Sequence, residues 1–298
     1  MLADQKGLTI NAQISASFIE LESTRLHVIE AGPTDGPLVI LLHGFPEFWF
    51  GWHNQIACLA EAGWRVLMPD QRGYNLSSKP SGLSAYRMDR LAGDVIGLMD
   101  ALGYQKASLV GHDWGGVIAW VTAVLHPEQV EKLVVLNAPY PPVTFSTLLR
   151  HPSQLWKSGY MYFFQLPRLP EWMLRKKDWQ LMIQGMRGSS HPGAFQAGDF
   201  EYYRQAWAQP GAMTGMLNWY RAFFRRPFRL PLSPRLQMPV LLLWGAQDVA
   251  LGRELAEASI RLCADGRLVY FENASHWLQH EQAEAVNQHL LEFINQPA

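Results

Sequence analysis

The sequence predicts an α/β protein in which a mostly parallel β-sheet carries helices on both faces and a helical cap is inserted into the chain. Short apolar runs alternate with helical segments through the first 138 residues. Such alternation builds a parallel sheet that is covered on both faces. A stretch of roughly one hundred residues without strand-like runs follows, and strand character then returns near residue 239.

The part before the insertion contains six predicted strands. Residues 18–22 and 26–31 are typical of an antiparallel pair at the start of the sheet. The predicted buried parallel strands are the apolar runs at 38–42, 65–68, 107–110 and 131–136. A helix between the second and third of these runs begins with Ser84 as its N-cap and ends near residue 102, where Gly103 supplies a left-handed stop.

The alternating pattern ends at Asn137, and the segment after it is rich in aromatic residues, Met and Arg. Its predicted helices cover residues 170–184, 199–208 and 213–224. Strands are predicted again at 239–243 and 267–271. The chain closes with an amphipathic helix whose apolar face is formed by Ala283, Val286, Leu290, Phe293 and Ile294. The sequence therefore predicts a core domain of residues 1–138 and 237–298 and a cap domain of residues 139–236.

Composition argues against several classes of function. Twenty-five basic and 26 acidic residues give a net charge of −1, whereas nucleic-acid binding favours a basic surface. The longest apolar run, residues 114–125, is too short for a bilayer and is typical of a buried helix. Cys58 and Cys263 cannot form a disulfide framework, so we expect free, buried thiols. The N-terminal residues contain no apolar signal core, which favours a cytoplasmic protein.

The most informative motif is GHDWGG at residues 111–116, where a predicted strand gives way to an apolar helix. A G-x-nucleophile-x-G turn in this context exposes its central side chain above the sheet, and glycine relieves the crowding of the turn. Asp113 occupies that central position. A simple N-cap of the following helix is the competing interpretation, because Asp commonly plays that role.

Two further residues follow in the chain order nucleophile, acid, histidine. Asp248 comes just after the predicted strand at 239–243, and His276 follows the next predicted strand after a short polar loop. Each has an ordinary alternative role, as a turn or cap residue for Asp248 and a surface or capping histidine for His276. Three such residues at three strand ends nevertheless favour a catalytic triad, because α/β proteins build their sites at that edge.

A fourth motif, HGFPE at residues 43–47, ends the first core strand. Backbone N–H groups in such a loop and just after the nucleophile can form an oxyanion hole, here assigned to Phe45 and Trp114. His43 and Pro46 of the same loop are expected to line the substrate pocket.

Together these motifs resemble those of the epoxide hydrolases with the α/β-hydrolase fold. The matching landmarks span nearly the whole chain and comprise HGFPE, RGYNLSSKP (72–80), GHDWGG, NWY (218–220), GAQD (245–248) and SHW (275–277). No single motif decides the matter, because HGFP and an aspartate elbow also occur in haloalkane and fluoroacetate dehalogenases. The family often has glycine where this chain has Asn75, and asparagine tolerates the positive φ that such a turn needs.

The resemblance implies two tyrosines in the cap whose hydroxyls bind the epoxide oxygen. The NWY motif assigns the second to Tyr220. The first is expected between residues 159 and 167, where the family register favours Tyr160 and leaves Tyr162 as the alternative. Aromatic packing is the competing interpretation, and it is stronger for Tyr160 than for Tyr220.

These residue types suit a two-step hydrolysis. A carboxylate with an ordinary pKa of about 3.9 is ionised at neutral pH, so Asp113 can attack a saturated carbon without a base. Tyr160 and Tyr220 would assist the leaving oxygen, and His276, oriented by Asp248, would activate water against the resulting ester. The predicted product is a vicinal diol, and neither a metal nor an organic cofactor is needed.

Haloalkane dehalogenase is the nearest alternative, because it uses the same ester and Trp114 could hold a halide. The asparagine that usually completes a halide site is replaced by Phe45. Trp114 also stands where fluoroacetate dehalogenases favour arginine, and a serine esterase would need serine at position 113. A non-catalytic binding protein, the remote alternative, would be expected to lack at least one member of the triad.

The cap composition bears on substrate and partners. Its many Trp, Phe and Met residues favour hydrophobic or aryl epoxides, whereas the oligomeric state stays open between monomer and homodimer. The basic residues Arg221, Arg225, Arg226 and Arg229 are interpreted as a solvated face of the cap.

Overall fold

A computed structural model describes residues 13–143, 159–228, 230 and 235–297. They contain one eight-stranded sheet of order β1-β2-β4-β3-β5-β6-β7-β8. The strands are β1 (Ile14–Glu20), β2 (Arg25–Ala31), β3 (Leu38–Leu42), β4 (Arg65–Pro69), β5 (Ala107–His112), β6 (Val130–Leu136), β7 (Val240–Gly245) and β8 (Gly266–Phe271). β2 pairs antiparallel with β1 and β4, and the other pairs are parallel. The predicted α/β class is confirmed.

Ten α-helices accompany the sheet in the described residues. They are α1 (Ile56–Glu61), α2 (Met88–Ala101), α3 (Trp114–Leu125), α4 (Gly159–Phe163), α5 (Leu169–Gly188), α6 (Asp199–Ala208), α7 (Ala212–Arg225), α8 (Arg253–Ile260), α9 (Leu278–Glu281) and α10 (Ala283–Ile294). Residues 176–179 interrupt α5 with non-helical backbone angles. No helix of this described part is long and apolar enough to span a membrane.

The predicted start of α2 is wrong. Ser84 lies inside a separate 3-10 turn, Leu83–Tyr86, and the helix begins only at Met88. The turn is held by tertiary contacts, because the Tyr86 ring is buried and Arg72 Nη1 donates to the carbonyl oxygen of Ala85 at 2.9 Å. Gly103, with φ +77°, follows the helix in the left-handed conformation that was predicted.

The register of the parallel strands brings their carboxyl ends to one edge. Leu42 pairs with Gly111, and Leu136 pairs with both His112 and Leu243. These central strands are entirely or almost entirely buried, since α3 covers one face with a helix that is itself apolar nearly all round. The loops that follow β3, β5, β6 and β7 are therefore gathered within a small region.

Helices α4–α7 lie between β6 and β7 in the chain and contact the core directly. The Trp207 indole N–H donates to the carbonyl oxygen of Pro46 (2.6 Å), and that of Trp219 donates to the carbonyl oxygen of Arg72 (2.9 Å). The domain boundaries at residues 138/139 and 236/237 stay predictions. Within the described residues, Cys58 and Cys263 are free thiols, half-buried and buried respectively.

Candidate active site

Asp113 lies at the sharp turn between β5 and α3, in a strained conformation (φ +51°, ψ −123°). Glycine is required on both sides of this turn, at Gly111 and Gly115. A Cβ on Gly111 would lie 2.4 Å from the carbonyl oxygen of Gly115, and one on Gly115 would lie 2.0 Å from that of Leu42. The Asp113 side chain makes no capping hydrogen bond to α3, so the N-cap interpretation does not explain it. Strain held by the surrounding structure is characteristic of functional positions.

The Asp113 carboxylate instead faces the loop after β3. The backbone N–H of Phe45 donates to Asp113 Oδ1 at 2.8 Å, which is the kind of donor that an oxyanion hole requires. Gly44 makes this approach possible, because a Cβ there would lie 2.4 Å from the same oxygen. Trp114, the second predicted donor, is the first residue of α3, where backbone N–H groups have no partner within the helix.

His43 does not line the pocket, contrary to the prediction. Its ring is fully buried, with Nε2 accepting from the backbone N–H of Gln71 (3.0 Å) and Nδ1 donating to the carbonyl oxygen of Gly44 (3.1 Å). Burial lowers its pKa. The His43 ring therefore packs beneath the loop, away from the cavity above Asp113. Pro46 does line that cavity.

His276 and Asp248 lie together beside Asp113. His276 Nδ1 lies 2.7 Å from Asp248 Oδ2, and His276 Nε2 lies 3.6 Å from Asp113 Oδ2. Burial opposes the charge on His276, but Asp248 and Asp113 together raise its pKa to about 10. Below that pH the free protein therefore holds an imidazolium between two carboxylates. All three triad candidates lie together, as the sequence predicts.

Asn137, the residue directly after β6, was not among the predicted site residues, yet its side chain holds Asp248 in place. Its Nδ2 donates to Asp248 Oδ2 at 2.7 Å, and its Oδ1 accepts from the backbone N–H of Gly245 at 2.8 Å. The backbone N–H groups of Ala250 and Leu251 donate to the other carboxylate oxygen of Asp248. The Asp248 carboxylate is thus fully satisfied. The signal available in the sequence was the position of Asn137, directly after a predicted buried strand.

A second buried cluster lies behind the triad, centred on Glu47 of the HGFPE motif. Its Oε1 accepts from the Tyr203 hydroxyl (2.8 Å) and lies 2.7 Å from His280 Nε2. Its Oε2 lies 3.3 Å from His112 Nδ1, while His112 Nε2 donates to the carbonyl oxygen of His276 at 2.8 Å. Burial opposes ionisation of Glu47, but His280 and His112 hold its pKa well below the usual range. This cluster links the loop of His276 to the turn of Asp113.

A cavity of about 510 Å³ opens above Asp113 and His276. Its wall is mostly aromatic and aliphatic, and both Tyr160 and Tyr220 contribute to it. Their rings pack edge to face, with centroids 5.9 Å apart. Tyr162 also lines the cavity, but its ring packs on Phe224, whereas the Tyr160 ring packs on Tyr220. The geometry favours Tyr160 over Tyr162.

Both phenols of this pair remain protonated over a wide pH range. Burial raises the pKa of Tyr220 well above its ordinary value, and the neighbouring Tyr160 and Asp113 add to the shift. Burial, Asp113 and Asp248 likewise raise the pKa of Tyr160. Two neutral O–H groups therefore share a cavity with a carboxylate and an imidazolium, an arrangement that can protonate a leaving oxygen.

Comparison with known proteins gives one consistent result. The α/β-hydrolase fold family matches residues 37–283. The AB hydrolase superfamily protein YfhM of Bacillus subtilis is 45% identical, over 94% of this chain and 98% of that protein. Human epoxide hydrolase 4 is 40% identical, over 91% of this chain and 76% of that protein.

The fold agrees with solved structures as well. The crystal structure of an epoxide hydrolase from Bacillus megaterium in complex with an inhibitor superposes with a TM-score of 0.85. It is 32% identical, and the match covers 94% of this chain and all of that one. Epoxide hydrolase A from Mycobacterium thermoresistibile gives a TM-score of 0.84 at 31% identity, over 94% of this chain and 98% of that one.

Proposed function

Since the chain belongs to the α/β-hydrolase family and, within it, to the epoxide hydrolases, we propose that it converts epoxides to vicinal diols through an ester on Asp113. The observation that carries the mechanism is the shared cavity. A carboxylate on a strained turn, a histidine paired with Asp248, and two phenols all face the same cavity.

In the first step Asp113 Oδ2 attacks one carbon of the ring. A carbon–oxygen bond of the epoxide breaks as the ester bond forms. Tyr160 and Tyr220 donate hydrogen bonds to the departing oxygen, which finishes the step as a hydroxyl. The proton comes from one of the phenols, and the resulting phenolate takes a proton back from solvent. Asp113 Oδ1 stays bonded to the Phe45 N–H throughout.

In the second step His276 acts as a base because its environment has changed. The charge of Asp113 helps to raise the His276 pKa in the free enzyme. That charge is lost when Asp113 becomes an ester, so the imidazolium releases its proton to solvent. Neutral His276 then removes a proton from water, and the hydroxide attacks the ester carbonyl carbon. The oxyanion forms at the N–H groups of Phe45 and Trp114, and its collapse releases the diol and regenerates the imidazolium–carboxylate pair.

Tyr160→Phe is expected to slow diol formation from styrene oxide by roughly 10²-fold or more, the scale of a lost general acid. Tyr220→Phe should have a similar effect, because the two tyrosine rings pack against each other and line the same cavity. Steady-state assays of diol release measure the effect. Tyr162→Phe is the matched control and should change the rate less than about 2-fold, since its phenol packs on Phe224. Equal losses in the Tyr160 and Tyr162 variants would contradict the assignment.

The cavity supports a hydrophobic substrate. Beyond the triad its wall is formed by apolar side chains of α4, α5 and α7, including Phe164, Leu174, Met182 and Phe223. A volume of about 510 Å³ accommodates an aryl-substituted epoxide. Burial of the aryl group against these side chains would supply binding energy while the phenols orient the ring oxygen.

Dehalogenation is the less supported activity. A halide site would need the Trp114 indole N–H to face the leaving group. That side chain instead packs edge to face against the Tyr220 ring, with centroids 5.0 Å apart. Trp114 therefore helps to place the phenol.

A further inference from the structure

Arg221 lies directly after Tyr220 in α7. It belongs to the run of basic residues that was predicted to form a solvated face of the cap. That interpretation is wrong for Arg221, because its side chain is only 8% exposed. Arg225 and Arg226 are exposed, and Arg229 lies outside the described residues. Burial of a guanidinium is costly unless its donors are satisfied, so the contacts of Arg221 need an explanation.

The guanidinium is bonded to the turn that follows α4, the short helix of Tyr160. Arg221 Nε donates to the carbonyl oxygen of Phe164 at 3.0 Å, and Nη2 donates to that of Leu166 at 2.7 Å. Carbonyl groups at the end of a helix have no partner within it, and a cation there is doubly favourable. Arg221 thereby fixes the position at which α4 ends.

Glu171 holds the other side of the guanidinium. Its two carboxylate oxygens accept from Arg221 Nη1 (2.7 Å) and Nη2 (3.0 Å), which is the bidentate geometry that suits arginine. Glu171 lies in the first turn of α5, so one side chain of α7 joins the end of α4 to the start of α5.

The same turn also contacts the Tyr220 backbone and both phenol rings. Gln165 Nε2 donates to the carbonyl oxygens of Tyr220 and Met161, each at 3.2 Å. The Phe164 ring packs edge to face against Tyr160 (centroids 5.6 Å apart) and Tyr220 (5.0 Å). Displacing the Phe164 backbone would therefore shift the two tyrosines relative to each other.

We propose that Arg221 is a positioning residue for the ring-opening step: by holding the Phe164 and Leu166 carbonyls, it keeps Tyr160 paired with Tyr220 in the cavity that contains Asp113. This proposal rests on the proposed function. Small displacements of an assisting group have large effects on rate, so loss of the clamp should slow ester formation and leave ester hydrolysis nearly unchanged.

The test follows ester formation alone, in a His276→Gln background where the second step is blocked. Intact mass against time with styrene oxide gives the rate. Arg221→Met should slow it by roughly 10- to 100-fold, whereas Arg226→Met, which alters an exposed arginine nearby, should change it less than about 2-fold. Arg221→Lys keeps the charge beside Glu171 but cannot make the same fork of bonds. Arg221→Lys should therefore slow ester formation by an intermediate factor. If Arg221→Met does not fold, Arg221→Lys is used in its place.

A double-mutant cycle separates positioning from a general loss of stability. Arg221→Met should add no further loss to Tyr160→Phe, because the clamp acts through that hydroxyl. In the background with His276 intact, the rate of ester hydrolysis should stay within about 2-fold of the parent. Additive losses, an unchanged rate of ester formation, or an equal loss in both steps would overturn the proposal. No ester in the His276→Gln parent would instead refute the proposed function itself.

Discussion

Asp113→Ala is expected to lower epoxide turnover by roughly 10⁴-fold or more, the scale seen when a covalent nucleophile is removed. The reason is that no other described side chain is placed to form the ester. Asp113 alone combines the exposed turn, the bond to the Phe45 N–H and the contact with His276. The measurement is diol release from styrene oxide in a steady-state assay.

The control for this variant is Asp113→Asn, which should be equally inactive. Asparagine tolerates the positive φ at this position, so it preserves the turn if alanine does not. Intact mass verifies that the amide has not hydrolysed back to the acid, and thermal melting verifies the fold. Diol formation within about 10-fold of the parent in either folded variant would contradict a nucleophilic role.

His276→Gln is expected to lower steady-state turnover by about 10³- to 10⁴-fold, because the base that activates water is lost. Ring opening should continue, since Asp113 and the two phenols are intact. The ester should therefore accumulate. Intact mass after exposure to styrene oxide should show one added hydroxyalkyl group per chain.

His126→Gln serves as the matched histidine control, because His126 is a half-buried residue at the end of α3. Its turnover should stay within about 2-fold of the parent, and it should form no stable adduct. Exposure of the His276→Gln variant to 1-chlorohexane distinguishes the alternative activity. An adduct with the chloroalkane and none with any epoxide would favour dehalogenation.

The sheet and the triad were accessible from the sequence for a common physical reason. Buried parallel strands need continuous apolar runs, and polar residues that follow such runs must emerge at one edge of the sheet. Asp113, Asp248 and His276 each follow a run of this kind. The glycine pattern around Asp113 adds a local constraint, since any Cβ on Gly111 or Gly115 would clash.

Other features depend on tertiary contacts that local patterns do not encode. Ser84 is a favourable N-cap by type, yet burial of Tyr86 moves the helix start to Met88. His43 follows a strand just as Asp113 does, but its ring turns away from the cavity to bond with Gln71. Composition alone gives no signal for either outcome.

Side chains that hydrogen-bond to backbone groups far away in the chain could not be assigned a role from the sequence. In the sequence Asn137 is an ordinary polar residue at a strand end. Its importance comes from the hydrogen bonds of its side chain to Asp248 and Gly245. Arg221 has the same appearance in the sequence as the exposed Arg225. Its partners Phe164 and Leu166 are more than 50 positions away, which no local pattern reveals.

Covalent catalysis by Asp113 is tested most directly by the fate of water oxygen in a single turnover. Excess enzyme is mixed with styrene oxide in H₂¹⁸O, and both the diol and the peptide that contains Asp113 are analysed by mass spectrometry. Because hydroxide attacks the ester carbonyl carbon, ¹⁸O should enter the Asp113 carboxylate while the first diol carries only ¹⁶O. Label in the diol, with an unlabelled Asp113 peptide, would show that water opens the ring directly and that no ester forms.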